Sequence, residues 1–384
     1  MKKSLIALSF GTFGLGIAEF VMMGILPDVA NGLGVSIPEA GHFIAAYALG
    51  VCFGAPMLVL LRTRPLKQIL MLLVVLMMVG NLCAAISPSY GMMLAARFIS
   101  GLPHGAYFGV ASIVADKLAD KGKGSLAVAI MIAGMTFANL GGVPLGTFLS
   151  TFISWRLVFL LVVFWGFIVL HGIFHWVPQI APLPDTGFKG QFRFFKHLAP
   201  WLILSATLLG NGGAFCFYSY VNPMLVHIAG FKPGVISGLM LLAGLGMVIG
   251  NLLGGRLSDK YSPGRVAAVM QGVICVSLVA LYFLSPYPFL AVLFTCFVTM
   301  GLFAVSSPQQ ISIIRYAPGG ELLGAACVQI AFNLGNALGA YCGGLPIEAG
   351  LDYRHPALVG IPFAFLGFWI LVYFFRRYER RKGK

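Results

Sequence analysis

Twelve apolar stretches, each long enough to cross a bilayer, constrain the fold of this chain more than any other feature. A transmembrane helix needs about 20 consecutive, mostly apolar residues. Of the 384 residues, 59% are hydrophobic and 9% are charged, whereas a soluble globular protein has about 25% charged residues. We therefore predict an all-α integral membrane protein. Its twelve transmembrane helices are expected at 4–27, 39–61, 66–86, 89–116, 125–150, 155–177, 199–228, 233–256, 264–285, 287–315, 321–348 and 356–376.

The positive charges lie mainly in every second loop between these stretches. With the amino terminus placed inside the cell, 21 of the 25 Lys and Arg residues lie on the cytoplasmic side. The exceptions are Arg97, which lies within a span, and Arg156, Lys232 and Arg354, which lie outside. Short cytoplasmic loops carry such an excess of Lys and Arg. We predict a protein of the bacterial cytoplasmic (inner) membrane with both termini in the cytoplasm. We attribute the net charge of +14 to this bias and expect no nucleic-acid partner.

A weak internal repeat relates two halves of six spans each. Similar residues recur at spacings of 194 to 196, in the pairs Pro27 and Pro223, Gly50 and Gly246, and Asn139 and Asn333. We predict an N-terminal six-helix bundle at 1–177, a cytoplasmic linker at 178–198 and a C-terminal six-helix bundle at 199–384. Transporters built from such repeats bind their substrate near the middle of the membrane, between the halves.

The ionisable residues deep inside the predicted spans belong to the first half. At a spacing of 196, Glu19 corresponds to Phe215. When Ser100-Gly101 is matched to Met300-Gly301, Arg97 corresponds to Phe297 and His104 to Ala304. At 1.5 Å per residue, Glu19 and Arg97 each lie ~12 Å from the outer end of their span. A charge buried in a membrane needs a partner. We therefore expect these two side chains to be close, directly or through water.

We interpret Glu19, Arg97 and His104 as proton-coupling residues. His104 follows Arg97 by nearly two helical turns, so it lies on a similar face of the same helix and could continue a proton path inward. Glu19 would take up a proton when the site faces outside and release it when the site faces inside, in exchange for substrate. Two simpler interpretations stay open: a structural Glu19–Arg97 pair that fixes helix register, and a hydrogen bond from His104 at the kink at Pro103.

Amide and aromatic side chains within the spans are candidates for contact with a substrate. Such groups, with few charges among them, suit a neutral polyol or an amphipathic drug-like molecule. Small polar residues also join membrane helices to each other, so a structural role stays open for each candidate. The candidates are Tyr47, Tyr107, Asn139, Asn211, Phe215, Tyr218, Asn222, Gln309, Gln329 and Asn333.

The loop after the eighth span combines glycines with charges, in G-G-R-L-S-D-K-Y-S-P-G-R at 254–265. We predict that its acid and bases lie in a tight Gly/Pro turn and form a latch against neighbouring helix ends, which holds one face of the protein shut. The corresponding loop of the first half has Thr63 where the second half has Asp259, and there we favour a merely basic turn. The residues of this gating motif are Gly254, Arg256, Asp259, Lys260 and Arg265.

The fifth span is rich in glycine around a proline, in G-M-T-F-A-N-L-G-G-V-P-L-G-T at 134–147. Such residues thin and bend a helix so that another helix can pack closely. This stretch resembles the antiporter motif of drug and sugar exporters. Its residues are Gly134, Gly141, Gly142, Pro144 and Gly146.

Taken together, these stretches resemble one family. The loop at 254–265 resembles the G-x-L-x-D-R-x-G-R motif of the major facilitator superfamily, and Arg97 resembles the Arg motif in the fourth span of that superfamily, which is associated with proton coupling. Nearly the whole chain is similar to the arabinose efflux permease (AraJ-type) group of proton-antiporter exporters. The similar stretches include A-E-F-V-M-M-G-I-L-P, R-F-I-S-G-L-P-H-G-A-Y-F-G and Q-I-A-F-N-L-G-N-A-L-G-A-Y-C-G-G. The resemblance implies two pseudo-symmetric six-helix bundles that export sugars, drugs or related metabolites in exchange for protons.

Two other classes of function compete with proton-coupled export: a facilitator or symporter, and a non-transporting sensor or membrane enzyme. An uncoupled facilitator or a proton/sugar symporter stays open, although the antiporter-like fifth span argues against it. An enzyme needs a nucleophile–base pair or a metal cluster, and the sequence has neither H-E-x-x-H, G-x-S-x-G nor a nucleotide-binding loop. We therefore expect no enzymatic activity, no metal site and no cofactor. The expected partners are a small-molecule substrate, protons and the lipid bilayer, and the expected state is a monomer.

Overall fold

The computed structural model describes residues 2–35, 37–142, 145 and 154–380, and the regular structure within these ranges is entirely helical. Twelve helices in these ranges are long and apolar enough to cross a membrane, which confirms the predicted number of spans. They are α1 Lys3–Leu33, α2 Glu39–Leu61, α3 Leu66–Ala85, α4 Tyr90–Lys117, α5 Gly124–Gly142, α6 Trp155–Trp176, α7 Leu198–His227, α8 Ile236–Lys260, α9 Pro263–Leu284, α10 Pro288–Tyr316, α11 Glu321–Glu348 and α12 His355–Glu379.

Proline has different effects in different spans. The sequence analysis ends the first span at Pro27, but α1 continues to Leu33 with this proline inside the helix. Proline is tolerated within membrane helices where neighbouring groups satisfy the freed backbone carbonyl. In α7 the helix is interrupted between Tyr218 and Val221, four residues or fewer before Pro223, because a proline cannot donate to the carbonyl of residue i−4 and its ring clashes with it.

A similar interruption divides α10, where Pro288–Ala304 and Ser306–Tyr316 are separate helical segments. Pro308 follows Ala304 by four residues, so the same loss of a backbone donor explains this break. In α5 the regular helix Gly124–Phe137 continues as a π-helical turn over Ala138–Gly142. The sequence predicts this helix to residue 150, and most of the remaining stretch lies outside the described residues.

Contacts divide the chain into two compact units. The first comprises Met1–Asp120, Ile130–Phe194 and Ala317–Ile330, and the second comprises Lys121–Ala129, Phe195–Tyr316 and Ala331–Lys384. The start of α5 therefore belongs to the second unit, and the start of α11 belongs to the first. Each unit has its own apolar core. The first includes Val21, Met22, Phe43, Met93 and Phe159, and the second includes Phe217, Met247, Ile274, Leu302 and Phe332.

Close crossing of α2 and α4 organises the first unit. A Cβ atom added to Gly54 would overlap the carbonyl oxygen of Leu102, and one added to Gly101 would overlap that of Tyr47. Small residues at a membrane-helix interface let the two backbones approach closely. The second unit repeats this crossing between α8 and α10, where Gly250 and Gly254 lie against backbone carbonyls of α10. This recurrence agrees with the weak repeat in the sequence.

We expect Gly101→Ala to destabilise the protein, because the new methyl group would meet the backbone of α2 and not a flexible side chain. Overpacking of this kind costs about 1–3 kcal/mol, so the midpoint of thermal unfolding in detergent should fall by several degrees. Gly91→Ala is the matched control on the same helix, since nothing lies within 4 Å of the added Cβ atom. An equal midpoint for the two variants would contradict the proposed close crossing.

Candidate functional site

Arg97 joins three helices in the interior of the first unit. Its side chain is 0% exposed, although it lies on the membrane-spanning helix α4. Nη1 donates to the backbone carbonyl of Ala18 on α1 at 2.7 Å, and Nε donates to that of Phe43 on α2 at 3.4 Å. The guanidinium also lies 4.5 Å from the ring centroid of Tyr47, a cation–π contact. The buried charge is therefore stabilised by main-chain dipoles and by an aromatic face.

Glu19 contacts His104 in the same interior. Glu19 is 8% exposed, and its Oε2 lies 3.7 Å from Nδ1 of His104. The hydroxyl of Tyr47 lies 2.9 Å from the same nitrogen. The imidazole stacks on Phe108, with 5.1 Å between ring centroids and 6° between ring planes. The buried ring is thus held between an apolar stacking partner and two oxygen-bearing side chains.

The geometry refines the expected Glu19–Arg97 pair. Within the part of the chain that the structure describes, the basic side chain within 4 Å of the Glu19 carboxylate is that of His104, at 3.7 Å. Arg97 reaches the carbonyl of Ala18, the residue before Glu19. The two predicted coupling residues on α4 therefore approach α1 differently. Arg97 contacts the main chain of α1, and His104 contacts the carboxylate of Glu19. Depth along a helix places these groups at similar levels but gives no distance between helices, so this division was not foreseen.

Two candidates for substrate contact in the first unit have structural contacts instead of exposed positions. Tyr47 is fully buried and bridges Arg97 and His104. Tyr107 is also buried, and its hydroxyl donates to the carbonyl of Leu8 at 3.2 Å, which attaches α1 to α4. Of the other two candidates, Asn139 is partly exposed in the π-helical turn of α5, and Gln329 is buried on α11.

Aromatic candidates in the second unit lie together. Phe215 packs edge to face against Tyr218 and against Phe332, with 5.9 Å between ring centroids in both pairs. Phe332 was not predicted as a candidate, because one phenylalanine does not stand out in a span full of apolar residues. Asn222 is exposed and lies on the segment Val221–His227, beyond the helix interruption that follows Tyr218. Three further candidates are buried, namely Asn211, Gln309 and Asn333.

Asp259 of the gating motif binds the start of α5. Its two carboxylate oxygens accept hydrogen bonds from the backbone N–H groups of Ser125 and Leu126, each at 2.8 Å. The first N–H groups of a helix lack intrahelical partners, and the helix dipole favours an anion there. Both sides of this contact belong to the second unit. Asp259, from the second half of the sequence, therefore supplies the anion at the N-terminal end of α5, a helix of the first half.

The rest of the gating motif corrects the predicted geometry. The sequence predicts a tight turn from Gly254 onward, but α8 continues as a helix through Lys260. Helix persists because Gly254 and Gly255 allow close contact with α10 and with the start of α5, which stabilises the backbone there. Lys260 and Arg265 lie 5.3 and 5.4 Å from the ring centroid of Tyr261, and Arg256 is exposed.

Two glycines of the antiporter motif lie against α1. A Cβ atom added to Gly134 would overlap the carbonyl of Ser9, and one added to Gly142 would overlap the side chain of Ile17. Nothing lies within 4 Å of a Cβ atom added to Gly141. The last two residues of the motif, Pro144 and Gly146, lie outside the described residues. Where the motif is described, it therefore brings α5 close to the helix that carries Glu19.

The fold and this site define a membrane transport protein. It has twelve candidate spans and a buried polar cluster that crosses between helices, and polar or ionisable groups in such positions mark substrate, ion or proton pathways. Comparison with known proteins then gives the family. The model of the Major Facilitator Superfamily matches residues 8–326, and the chain belongs to that superfamily of secondary transporters. This membership agrees with the expectation that the protein is a transporter and not an enzyme.

Similar proteins support the same assignment. AraJ of Escherichia coli (strain K12) is 47% identical over 386 residues, which cover 100% of this chain and 97% of that protein. The inner membrane transport protein YdhP of the same strain is 38% identical, over 93% of this chain and 92% of that protein. The crystal structure of the E. coli fucose:proton symporter FucP has a TM-score of 0.77 at 15% identity and covers 96% of this chain and 98% of that chain. At this identity the likeness to FucP shows the fold alone.

We expect Arg97→Lys to lower the midpoint of thermal unfolding. A lysine has a single nitrogen and cannot reproduce the planar fork with which arginine reaches the carbonyls of two helices. Loss of a hydrogen bond to a charged group costs about 1.5–3 kcal/mol. Arg256→Lys, at an exposed position of α8, is the matched control. If both variants unfolded at the wild-type temperature, the main-chain contacts of Arg97 would not contribute to stability.

Proposed function

We propose that this transporter exports a small molecule in exchange for protons, and that Glu19 carries the proton. The observation that supports this most is the position of the Glu19 carboxylate. It is buried within a membrane-spanning helix, lies 3.7 Å from His104, and its Oε2 accepts no hydrogen bond among the described residues. A carboxylate in such a place is costly unless it binds a proton or a partner.

The contacts around Glu19 suit a proton carrier. The guanidinium of Arg97 bonds to main-chain carbonyls, so the carboxylate is not fixed in a bidentate ion pair. Nδ1 of His104 lies 3.7 Å from Oε2 of Glu19 and 2.9 Å from the hydroxyl of Tyr47, so these two side chains can accept or return a proton. In the proposed cycle, Glu19 takes up a proton from outside, and the carrier then reorients. Glu19 then releases that proton inside, and substrate binds from the inside for the return step of the cycle.

Export is supported by the contact between α5 and α1. The glycine-rich stretch of α5 resembles the antiporter motif of drug and sugar exporters, and its Gly134 and Gly142 pack against the helix that carries Glu19. We propose a neutral polyol or an amphipathic drug-like molecule as substrate. The aromatic cluster of Phe215, Tyr218 and Phe332 is the proposed contact surface for its apolar parts.

A specific observation favours a second candidate, an uncoupled facilitator or a proton/sugar symporter. The contacts of Arg97 to Ala18 and Phe43 join helices, as a purely structural cluster would. In an uncoupled facilitator, the role of Glu19 is to complete a buried network with His104. The direction of proton flux, relative to that of the substrate, distinguishes the candidates.

The deciding experiment uses proteoliposomes with a pH-sensitive dye inside. A proton gradient is imposed, a panel of neutral sugars and amphipathic cationic or neutral drugs is added, and proton flux is recorded alongside substrate flux. We expect opposite fluxes of substrate and protons for the wild type, and loss of the substrate-dependent proton flux in Glu19→Gln. Glu348→Gln is the matched control, because Glu348 is an exposed acid at the end of α11 and its removal should leave the flux unchanged.

Other outcomes identify the second candidate. Substrate transport without proton flux, equal in wild type and Glu19→Gln, would make Glu19 a structural residue and the protein a facilitator. Proton and substrate fluxes in the same direction would make it a symporter. Loss of flux in Glu348→Gln as well would mean that neither acid has a specific role.

We further propose that the protein acts as a monomer in the bacterial inner membrane. We also propose that both termini lie in the cytoplasm, which the loop charges favour. A fluorescent protein that folds only in the cytoplasm, fused after the last residue, should fluoresce. A periplasm-dependent phosphatase at the same position should be inactive. The reverse pair of results would place the carboxyl terminus outside.

A further inference from the structure

The second unit has a carboxylate latch that the first half of the sequence lacks. At the repeat spacing of 196, Asp259 corresponds to Thr63, and Gly255 corresponds to Val59. The glycine matters because a Cβ atom added to Gly255 would lie 2.5 Å from Cβ of Ala129, on α5. The end of α2 therefore has neither the acid nor the small residue with which the end of α8 binds the start of α5.

The start of α11 is the counterpart of the start of α5. Ser125, which donates to Asp259, corresponds at the same spacing to Glu321. The segment Ala317–Ile330 belongs to the first unit, as Lys121–Ala129 belongs to the second. A contact must therefore attach the start of α11 to the first unit without a counterpart of Asp259.

The linker makes one such contact, in addition to the packing of Gly109 on α4 against Ala326. Thr186 Oγ1 donates to the carbonyl of Gly319 at 2.7 Å, and Gln191 Nε2 donates to the same oxygen at 3.1 Å. The fit is close: a Cβ atom added to Gly320 would lie 2.5 Å from the carbonyl oxygen of Gln191 and 2.6 Å from the ring of Phe194. Gln191 and Phe194 are both buried. Gly319 has φ +77°, a left-handed conformation that aims its carbonyl at the linker and that favours glycine.

The same linker segment is tied to the end of α2. Asp185 Oδ1 accepts a hydrogen bond from Nε of Arg62 at 2.8 Å. The short helix Gly187–Gln191 packs against the 3₁₀ turn Leu58–Leu61, which is where α8 instead continues as helix. The backbone N–H of Gly187 and, after it, the Arg62 guanidinium stabilise the ionised carboxylate and hold the pKa of Asp185 below its usual range.

We propose that the linker segment 185–194 is a strap that replaces the missing acid and holds the start of α11 on the first unit. The starts of α5 and α11 are then held by different interactions. The start of α5 is held by the carboxylate of Asp259 on helix N–H groups. The start of α11 is held by an exposed ion pair at Asp185 together with two neutral hydrogen bonds to Gly319. Release of the strap should loosen the start of α11 and leave the start of α5 unchanged.

Hydrogen–deuterium exchange of the full-length protein in nanodiscs, read by mass spectrometry, tests this. In Thr186→Val/Gln191→Leu, we expect exchange at 317–324 to rise about tenfold, since two hydrogen bonds that stabilise the closed state are removed, and exchange at 121–129 to stay at the wild-type rate. Asp259→Asn is the matched control: exchange at 121–129 should rise, and exchange at 317–324 should stay at the wild-type rate.

A charge swap provides a second measurement that does not alter buried residues. Asp185→Arg should raise exchange at 317–324 through repulsion from Arg62, and the combined variant Arg62→Asp/Asp185→Arg should restore it. The proposal is overturned if the Thr186→Val/Gln191→Leu variant, folded and monodisperse, keeps wild-type exchange at 317–324. It is also overturned if exchange at 317–324 and at 121–129 rises together in that variant, or if the charge swap gives no rescue.

Discussion

The buried guanidinium of Arg97 is the constraint on which the first unit depends. A charge in this position must be stabilised by the protein itself, and here Nη1 and Nε donate to carbonyl groups of two other helices. This choice of partner has a chemical consequence. An arginine that bonded to Glu19 directly would neutralise this buried acid, whereas the arginine here bonds to main-chain carbonyls and leaves the carboxylate 3.7 Å from His104. A guanidinium that joins helices and a buried carboxylate that it does not bind therefore lie in the same interior.

Hydropathy and charge distribution were enough to predict the twelve spans, because the length of an apolar stretch is a direct consequence of bilayer thickness. Depth along a helix was enough to bring Glu19, Arg97 and His104 into one region. The position of Tyr47 between Arg97 and His104 could not be predicted. It depends on how closely α2 crosses α4, and that distance is set by glycines that look ordinary in a membrane sequence. The outcome of each proline was also beyond sequence reasoning: Pro27 lies inside a continuous helix, whereas the helix is interrupted just before Pro223 and Pro308. Whether a helix continues past a proline depends on neighbouring groups that can satisfy the freed carbonyl.

The gating motif shows how a repeated backbone can carry unequal chemistry. Its glycines serve close helix contact and not the predicted turn, and Asp259 lies at the end of a helix and faces the start of α5. In the first half, larger side chains at Leu58 and Val59 accompany the loss of the acid. The linker, which by sequence alone is only a connection between bundles, lies against that position. The glycine-lined helix crossing is thus shared by the two units, whereas the interactions that hold the corresponding helix ends differ.

The contact of Asp259 with main-chain N–H groups has a consequence for how the protein tolerates mutation. Every residue except proline supplies a backbone N–H, so the side chains at Ser125 and Leu126 can change without loss of the two hydrogen bonds. The whole requirement for a specific side chain falls on one position, Asp259. A genetic screen for revertants of an Asp259 variant should therefore find few compensating changes at Ser125 and Leu126, because these residues make the interaction through their backbone N–H groups.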